Sequence, residues 1–294
     1  MTIAKAGIHL SLTASAAPWI PAFAGMTQEG RGMKMLSPSE IDSVAHDLIA
    51  QHTRGDIFVN FPERVPTIAD ADNIQDAYVA LLCQKLGTQV GGYKIALTSK
   101  ATRDWLKIDH PCAGQVLANR IHQSPYTAHL KDYVRFSIET EICVVLDRDM
   151  SGDCTIEDVR RNVRSVHCAY ELVEDRGADL TCLDARSLVS DNSWNGGIVI
   201  GPAGPAGIDL AGRPGRLKVN GQIAKEGNTS GLMGGDPLHV MVWLIGHLGR
   251  RGRALKAGMP VITGSIIETQ FPVAGDVLVY DVDGMPPVEL RVAA

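Results

Sequence analysis

Three observations predict an α+β chain, with two leading helices set on a large mixed β-structure and one further helix crossing it. Apolar residues recur at helical spacing between residues 37 and 87, and again after Asp236. From Thr88 the pattern changes to short β-branched and apolar runs broken by turns. The 30 Gly and 15 Pro supply many such turns, and no segment repeats at a period of roughly 20–50 residues, which excludes a solenoid.

Ser37-Pro38-Ser39-Glu40 opens the first helix with a hydroxyl cap, an early proline and an acid near the N-terminus. Ile41, Val44, Ala45, Leu48 and Ile49 form its stripe, and Gly55 lies beyond its end. After a loop over Phe61–Ala71, the second helix carries Ile74, Ala77, Tyr78, Leu81 and Leu82 and stops at Gly87. His46 and His52 are six positions apart, so they do not share a helix face and read as surface histidines.

Strands are expected over Val90–Leu97, Gly114–Leu117, Val134–Leu146, Val166–Val173, Leu188–Val189 and Ile198–Ile200, with helical turns at Thr98–Leu106 and Thr155–Val159. Gly201–Gly207 reads as a Gly/Pro loop whose prolines remove the N–H donors of a phosphate loop. Asn220-Gly221 marks a hairpin, and Asp236-Pro237 caps the strongest helix, with Leu238, Met241, Val242, Leu244, Ile245 and Leu248 as its stripe. Pro260–Ile262, Ser265–Glu268, Asp276–Val282 and Val288–Val292 close the chain as strands.

Chemistry concentrates on Ile138–Asp147. Glu139 and Glu141, two apart on a strand, point to one face together with Cys143. Acidic side chains are mostly exposed, so this tripeptide alone reads as a solvated face. Two neighbouring carboxylates on a half-buried strand instead need a proton or a cation. Glu171 lies thirty positions beyond Glu141, enough for a return strand, and can supply a third carboxylate. Three carboxylates suit Mg²⁺ or Mn²⁺ rather than zinc. Lys94 interrupts an apolar strand; an exposed face is its default, and burial near a metal would lower its pKa into a proton-carrying range. Glu174 and Asp175 read as strand-end acids, in solvent or paired with Arg176. Asp191-Asn192-Ser193-Trp194-Asn195-Gly196-Gly197, between two short strands, is a polar turn that can line a pocket, although turn chemistry also explains it.

Gly-Tyr-Lys-Ile-Ala-Leu-Thr-Ser, Glu-Thr-Glu-Ile, Tyr-Glu-Leu-Val-Glu-Asp-Arg, Ser-Asp-Asn-Ser, Asp-Pro-Leu-His-Val-Met-Val-Trp-Leu and Ile-Thr-Gly-Ser occur in that order across residues 35–294. Together they resemble the 2-keto-4-pentenoate hydratase branch of the fumarylacetoacetate hydrolase superfamily. The resemblance implies a twisted mixed β-roll in a single catalytic domain over 35–294, homo-oligomers, and a cytoplasmic role in aromatic-compound degradation, with an enzyme of the same pathway as a partner. It implies Mg²⁺ or Mn²⁺ held by Glu139, Glu141 and Glu171, with Lys94 as the catalytic residue. Asp191, Asn192 and Ser265 are candidate substrate contacts. The implied reaction adds water to a 2-hydroxy-2,4-dienoate to give a 4-hydroxy-2-oxo acid. Alternatives are decarboxylation of a 2-oxo-3-enedioate of the 4-oxalocrotonate type, and a non-catalytic small-acid binder or subunit. The chain departs from the family at Pro111-Cys112-Ala113-Gly114, where the hydratases typically carry Asp in place of Cys112, and at Gly258-Met259, where Gly-Asp is common.

A net charge of −5 with no broad basic surface excludes a general nucleic-acid binder, and Arg160, Arg161 and Arg164 read as a solvated helix face. Six scattered cysteines without a Cys-x-x-Cys pair read as reduced thiols of a cytosolic protein. No apolar run reaches the length of a membrane span. Residues 1–34 have no persistent period, and their apolar stretch is broken by Ser, Thr and Pro, a weak match to a signal peptide. Pro18–Thr27 resembles a translated bacterial intergenic repeat, which places residues 1–34 outside the fold and the native start at Met33 or Met35.

Overall fold

Helix α1 (Pro38–Arg54) begins as its cap predicts: Ser37 Oγ accepts the Glu40 N–H while the Glu40 carboxylate accepts the Ser37 N–H. The computed structural model describes residues 35–205 and 207–294, and the expectations for residues 1–34 lie outside the described residues. Helix α2 (Ile68–Leu86) starts inside the predicted loop, because Thr67 caps it by accepting the Asp70 N–H. Val44, Ala45 and Leu48 of α1 pack with Ile74, Tyr78 and Val79 of α2. Gly55 and Gly87 end the two helices at φ +68° and +60°, the left-handed region glycine tolerates.

The predicted change to strands after Thr88 gives two sheets. The seven-stranded sheet comprises β1 (Val90–Ala96), β2 (Cys112–Leu117), β3 (Ile121–Gln123), β5 (Phe136–Leu146), β6 (Val163–Glu174), β7 (Asn195–Ala203) and β10 (Pro260–Ile262), ordered β2-β1-β10-β5-β6-β7-β3. The five-stranded sheet joins β4 (Tyr126–His129), β12 (Val288–Ala293), β11 (Val277–Val282), β8 (Pro214–Val219) and β9 (Gln222–Asn228) in that order. Both mix parallel and antiparallel pairs. The larger sheet curls until β2 lies against β7.

Alternation along β5 and β6 separates two faces. Ile138, Ile142, Val144, Tyr170 and Leu172 face the main core, with Leu278, Tyr280 and Leu290 of the second sheet. The apolar stripe of the crossing helix α6 (Pro237–Arg250) joins them through Met241, Leu244, Ile245 and Leu248. Truncating buried Leu244 to Ala is expected to cost about 2–5 kcal/mol. The other face carries a smaller apolar floor of Val116, Cys143, Ala169, Ile198 and Ile262.

Short helices α3 (Lys100–Leu106), α4 (Ile156–Arg161) and α5 (Ala185–Ser190) connect the strands. Leu188–Val189, expected as a strand, lies inside α5, where Asp184 accepts the Arg186 N–H as a cap. Two apolar residues carry no period, so the cap was the better signal. Ser265–Glu268 forms no strand; the segment is tied to β5 by the Ile266 N–H donating to the Thr140 carbonyl and by an isolated bridge between Ile138 and Gln270. β7 extends into the predicted Gly/Pro loop as far as Ala203. Strands β3 and β4 were missed because three or four residues show no alternation.

Candidate metal centre and active site

Antiparallel pairing of β5 with β6 sets Glu139 directly opposite Glu171, and Glu141 follows two residues on along the same face. Three local sequence features therefore converge, and oxygen atoms of the three carboxylates lie within 4.8 Å of one another. Glu141 and Glu171 are fully buried, while Glu139 is half-buried. Lys94 reaches them from β1, across the short strand β10; it is buried, with Nζ 3.2 Å from Glu171 Oε2.

Neighbours fix each acid. Glu139 Oε1 accepts from Thr269 Oγ1 at 2.8 Å, and Glu171 Oε1 accepts from Asn195 Nδ2 at 2.9 Å. The Gly264 N–H donates to Glu141 Oε2. Glycine is required there: φ is +99° and a Cβ would lie 2.1 Å from Thr98 Oγ1. Gly114, paired with Lys94 across β1 and β2, makes room for the lysine stem, since a Cβ would stand 2.8 Å from Lys94 Cγ.

The charges do not balance. Burial, then repulsion from Glu171 and Glu139, pushes Glu141 well above the usual carboxylate range. Burial likewise raises Glu171 to about 7, against the opposing pull of Lys94. Burial alone would lower the Lys94 pKa, but Glu171, Glu139 and Glu141 together outweigh it and hold the ammonium form. Glu141 Oε1 is buried and accepts no hydrogen bond. A buried orphan acceptor inside an all-oxygen donor set fits a hard divalent cation.

No family model matches the chain. The 2-hydroxyhexa-2,4-dienoate hydratase of Comamonas testosteroni is 31% identical over 231 residues, covering 77% of this chain and 86% of that protein. The chain belongs to the 2-keto-4-pentenoate hydratase branch of the fumarylacetoacetate hydrolase superfamily. A 2-keto-4-pentenoate hydratase of Paraburkholderia xenovorans is 28% identical over 261 residues, covering 86% of this chain and 95% of its own. Among solved structures, 4-oxalocrotonate decarboxylase from Pseudomonas putida, complexed with magnesium and adipate, superposes with a TM-score of 0.81 at 22% identity. That match covers 88% of this chain and all of the other. Fumarylpyruvate hydrolase from Pseudomonas aeruginosa, in complex with Mn²⁺ and pyruvate, gives a TM-score of 0.54 at 16% identity over 68% of this chain and 88% of its own. These two likenesses show the fold.

Within that fold, the three candidate substrate contacts sit in bracing positions. Asp191 is buried and binds Arg176 Nη2 at 2.5 Å and His52 Nε2 at 2.6 Å. His52 is therefore no free surface histidine: it pairs with Asp191 and stacks on Tyr78. Arg176 is likewise committed, so Asp175 pairs instead with Arg135, while Glu174 accepts the N–H groups of Val134 and Arg135. Asn192 exchanges hydrogen bonds of 2.7 and 2.8 Å with the Gln115 backbone. Ser265 Oγ accepts the Thr140 N–H and donates to the Ile267 carbonyl at 2.6 Å. Burial pushes the Cys112 thiol far up, so it stays protonated and cannot reproduce a carboxylate. Thr269, Gly264, Gly114 and Asn195 were not singled out from sequence. The first three lack a local signal, whereas Asn195 lay within the polar turn.

Proposed function

We propose that this chain is a divalent-metal-dependent hydratase that adds water to a 2-hydroxy-2,4-dienoate of the 2-oxo-4-pentenoate type, giving a 4-hydroxy-2-oxo acid. One observation carries the reading: three carboxylates converge with a buried lysine at ion-pair distance, and one of their oxygens is orphaned. Hydratases acting on such acids are the relatives that support the substrate class.

Glu139, Glu141 and Glu171 would hold Mg²⁺ or Mn²⁺. Bound there, the cation would supply Lewis acidity toward the substrate. Lys94 is the proton carrier. Burial of Lys94 disfavours its ammonium form while Glu171, Glu139 and Glu141 favour it, so the lysine would release its proton more readily were the carboxylate charge neutralised by a bound cation. Lys94 Nζ then takes a proton from the 2-hydroxyl or returns one to carbon as the double bond moves into conjugation. Addition of water follows, with hydroxyl at C4 and hydrogen at C3. The surrounding β-roll keeps bulk water from Lys94 and the two buried acids.

The same reading makes the enzyme a cytoplasmic homo-oligomer using a small soluble acid. Exposed Ile57, Val59, Phe271 and Val273 suit subunit contacts, and among the described residues no helix is long and apolar enough to cross a membrane.

Purified protein with Mg²⁺ or Mn²⁺ should remove dienol absorbance from a 2-hydroxydienoate and yield a product heavier by one water. Release of CO2 from a 2-oxo-3-enedioate, without hydration, would replace this reading with the decarboxylase one. Tight binding of a 2-oxo acid with no turnover would make the chain a binder.

A further inference from the structure

Asn195 reaches Glu171 through an irregularity that nothing in the hydratase reading requires. Across β6 and β7, Glu171 pairs with Ile198 and Leu172 with Gly197, but Val173 pairs with Asn195, so Gly196 is skipped. Residues paired across a ladder share a face, and this bulge turns Asn195 onto the face of Glu171. Immediately before it, Asn192, Ser193 and Trp194 all have positive φ, of 52°, 48° and 58°. Three consecutive left-handed residues without glycine are strained and persist where the surroundings hold them. The Asn192–Gln115 hydrogen bonds do so here.

The amide is oriented by charge. Nδ2 donates to Glu171 Oε1, whereas the flipped amide would set an oxygen against a carboxylate. Oδ1 is left buried without a partner. Ser137, in the same cross-strand row through Val173, also has a buried unpartnered Oγ. An acceptor in that position calls for an O–H donor from a bound molecule.

We propose that Asn195 is a positioning residue of this centre: its N–H fixes Glu171 for the cation, and its Oδ1 accepts a hydroxyl at the site, from either the reactant or the water to be added. This rests on the metal-dependent reading above. The amide takes no proton; it orients the donor.

Manganese titration followed by electron paramagnetic resonance tests the first half without turnover. Wild-type protein is the control, and its failure to bind Mn²⁺ counts against the metal reading itself. Given wild-type binding, Asn195→Leu should bind Mn²⁺ about tenfold more weakly, as loss of a partner of a metal-ligating carboxylate usually does. In a Glu171→Gln background the same change should have no further effect. Unchanged affinity, or an additive loss in that background, overturns the positioning role. Thermal melts verify folding, and Asn195→Ser carries the same cycle should the leucine variant not fold. For the second half, kinetics separate the two donors. A raised KM with slowed loss of dienol absorbance assigns Oδ1 to the reactant hydroxyl. Normal loss of absorbance with slowed formation of the hydrated product assigns it to water. Neither change overturns the acceptor role.

Discussion

Two buried acidic regions of this molecule look alike in composition and differ in charge balance. Asp191 gives one oxygen to Arg176 and the other to His52, so its burial is compensated within the protein. Arg176 is held further by the Asp56 carbonyl and lies over the Phe58 ring. On the inner face of β5 and β6, three carboxylates face a single ammonium, and one carboxylate oxygen accepts nothing. Buried acids do not in themselves mark a site; an excess that the protein leaves uncompensated does. The same contrast explains why Asp191, named among the candidates from sequence, now has the place of a brace.

Removing Lys94 breaks that contrast most sharply. Lys94→Ala is expected to lower kcat by about 10²–10⁴-fold, the usual scale for a lost proton carrier. Mn²⁺ affinity should not fall, because the deleted ammonium repels the cation. Joint loss of binding and activity, measured by titration and steady-state kinetics, would make Lys94 a structural counter-ion instead.

Removing one acid from each region should have opposite effects on stability. Asp191→Ala leaves the Arg176 guanidinium buried and unpaired, at an expected cost of about 3–5 kcal/mol in urea unfolding. Glu141→Gln relieves repulsion from Glu171 and Glu139 in the cation-free protein and should stabilise it. Both variants destabilising to the same degree would contradict the difference in charge balance.

The acids were legible because periodicity reports which side of a strand a residue occupies, and Glu139 and Glu141 stand at a period of two. The strand order was not legible from spacing alone. Lys94 lies two strands from β5, with β10 between them drawn from residues 260–262, far along the chain. Long helices with strong caps, α1 and α6, appeared where Ser37 and Asp236 predict them. Segments decided by tertiary packing, such as Leu188–Val189 and Ser265–Glu268, did not follow local preference. Asn195 needed the bulge at Gly196, which a sequence pattern cannot reveal when only one residue is skipped.

The two regions also differ in a pH slope that the cation should abolish. Glu171 is raised from its ordinary 4.5 to about 7, so across that window the folded chain holds a proton that the unfolded chain has released. Proton binding thus favours the folded state at the acid end, and cation-free stability falls as pH rises from about 4.5 to 7. Glu141, raised by burial, acts in the same direction. A saturating divalent cation replaces the proton as the compensating charge, so the decline should flatten or reverse. Urea midpoints measured across this range with EDTA and with excess Mg²⁺ provide the comparison. Parallel slopes under the two conditions would mean that Glu141 and Glu171 find their compensation within the protein, as Asp191 does.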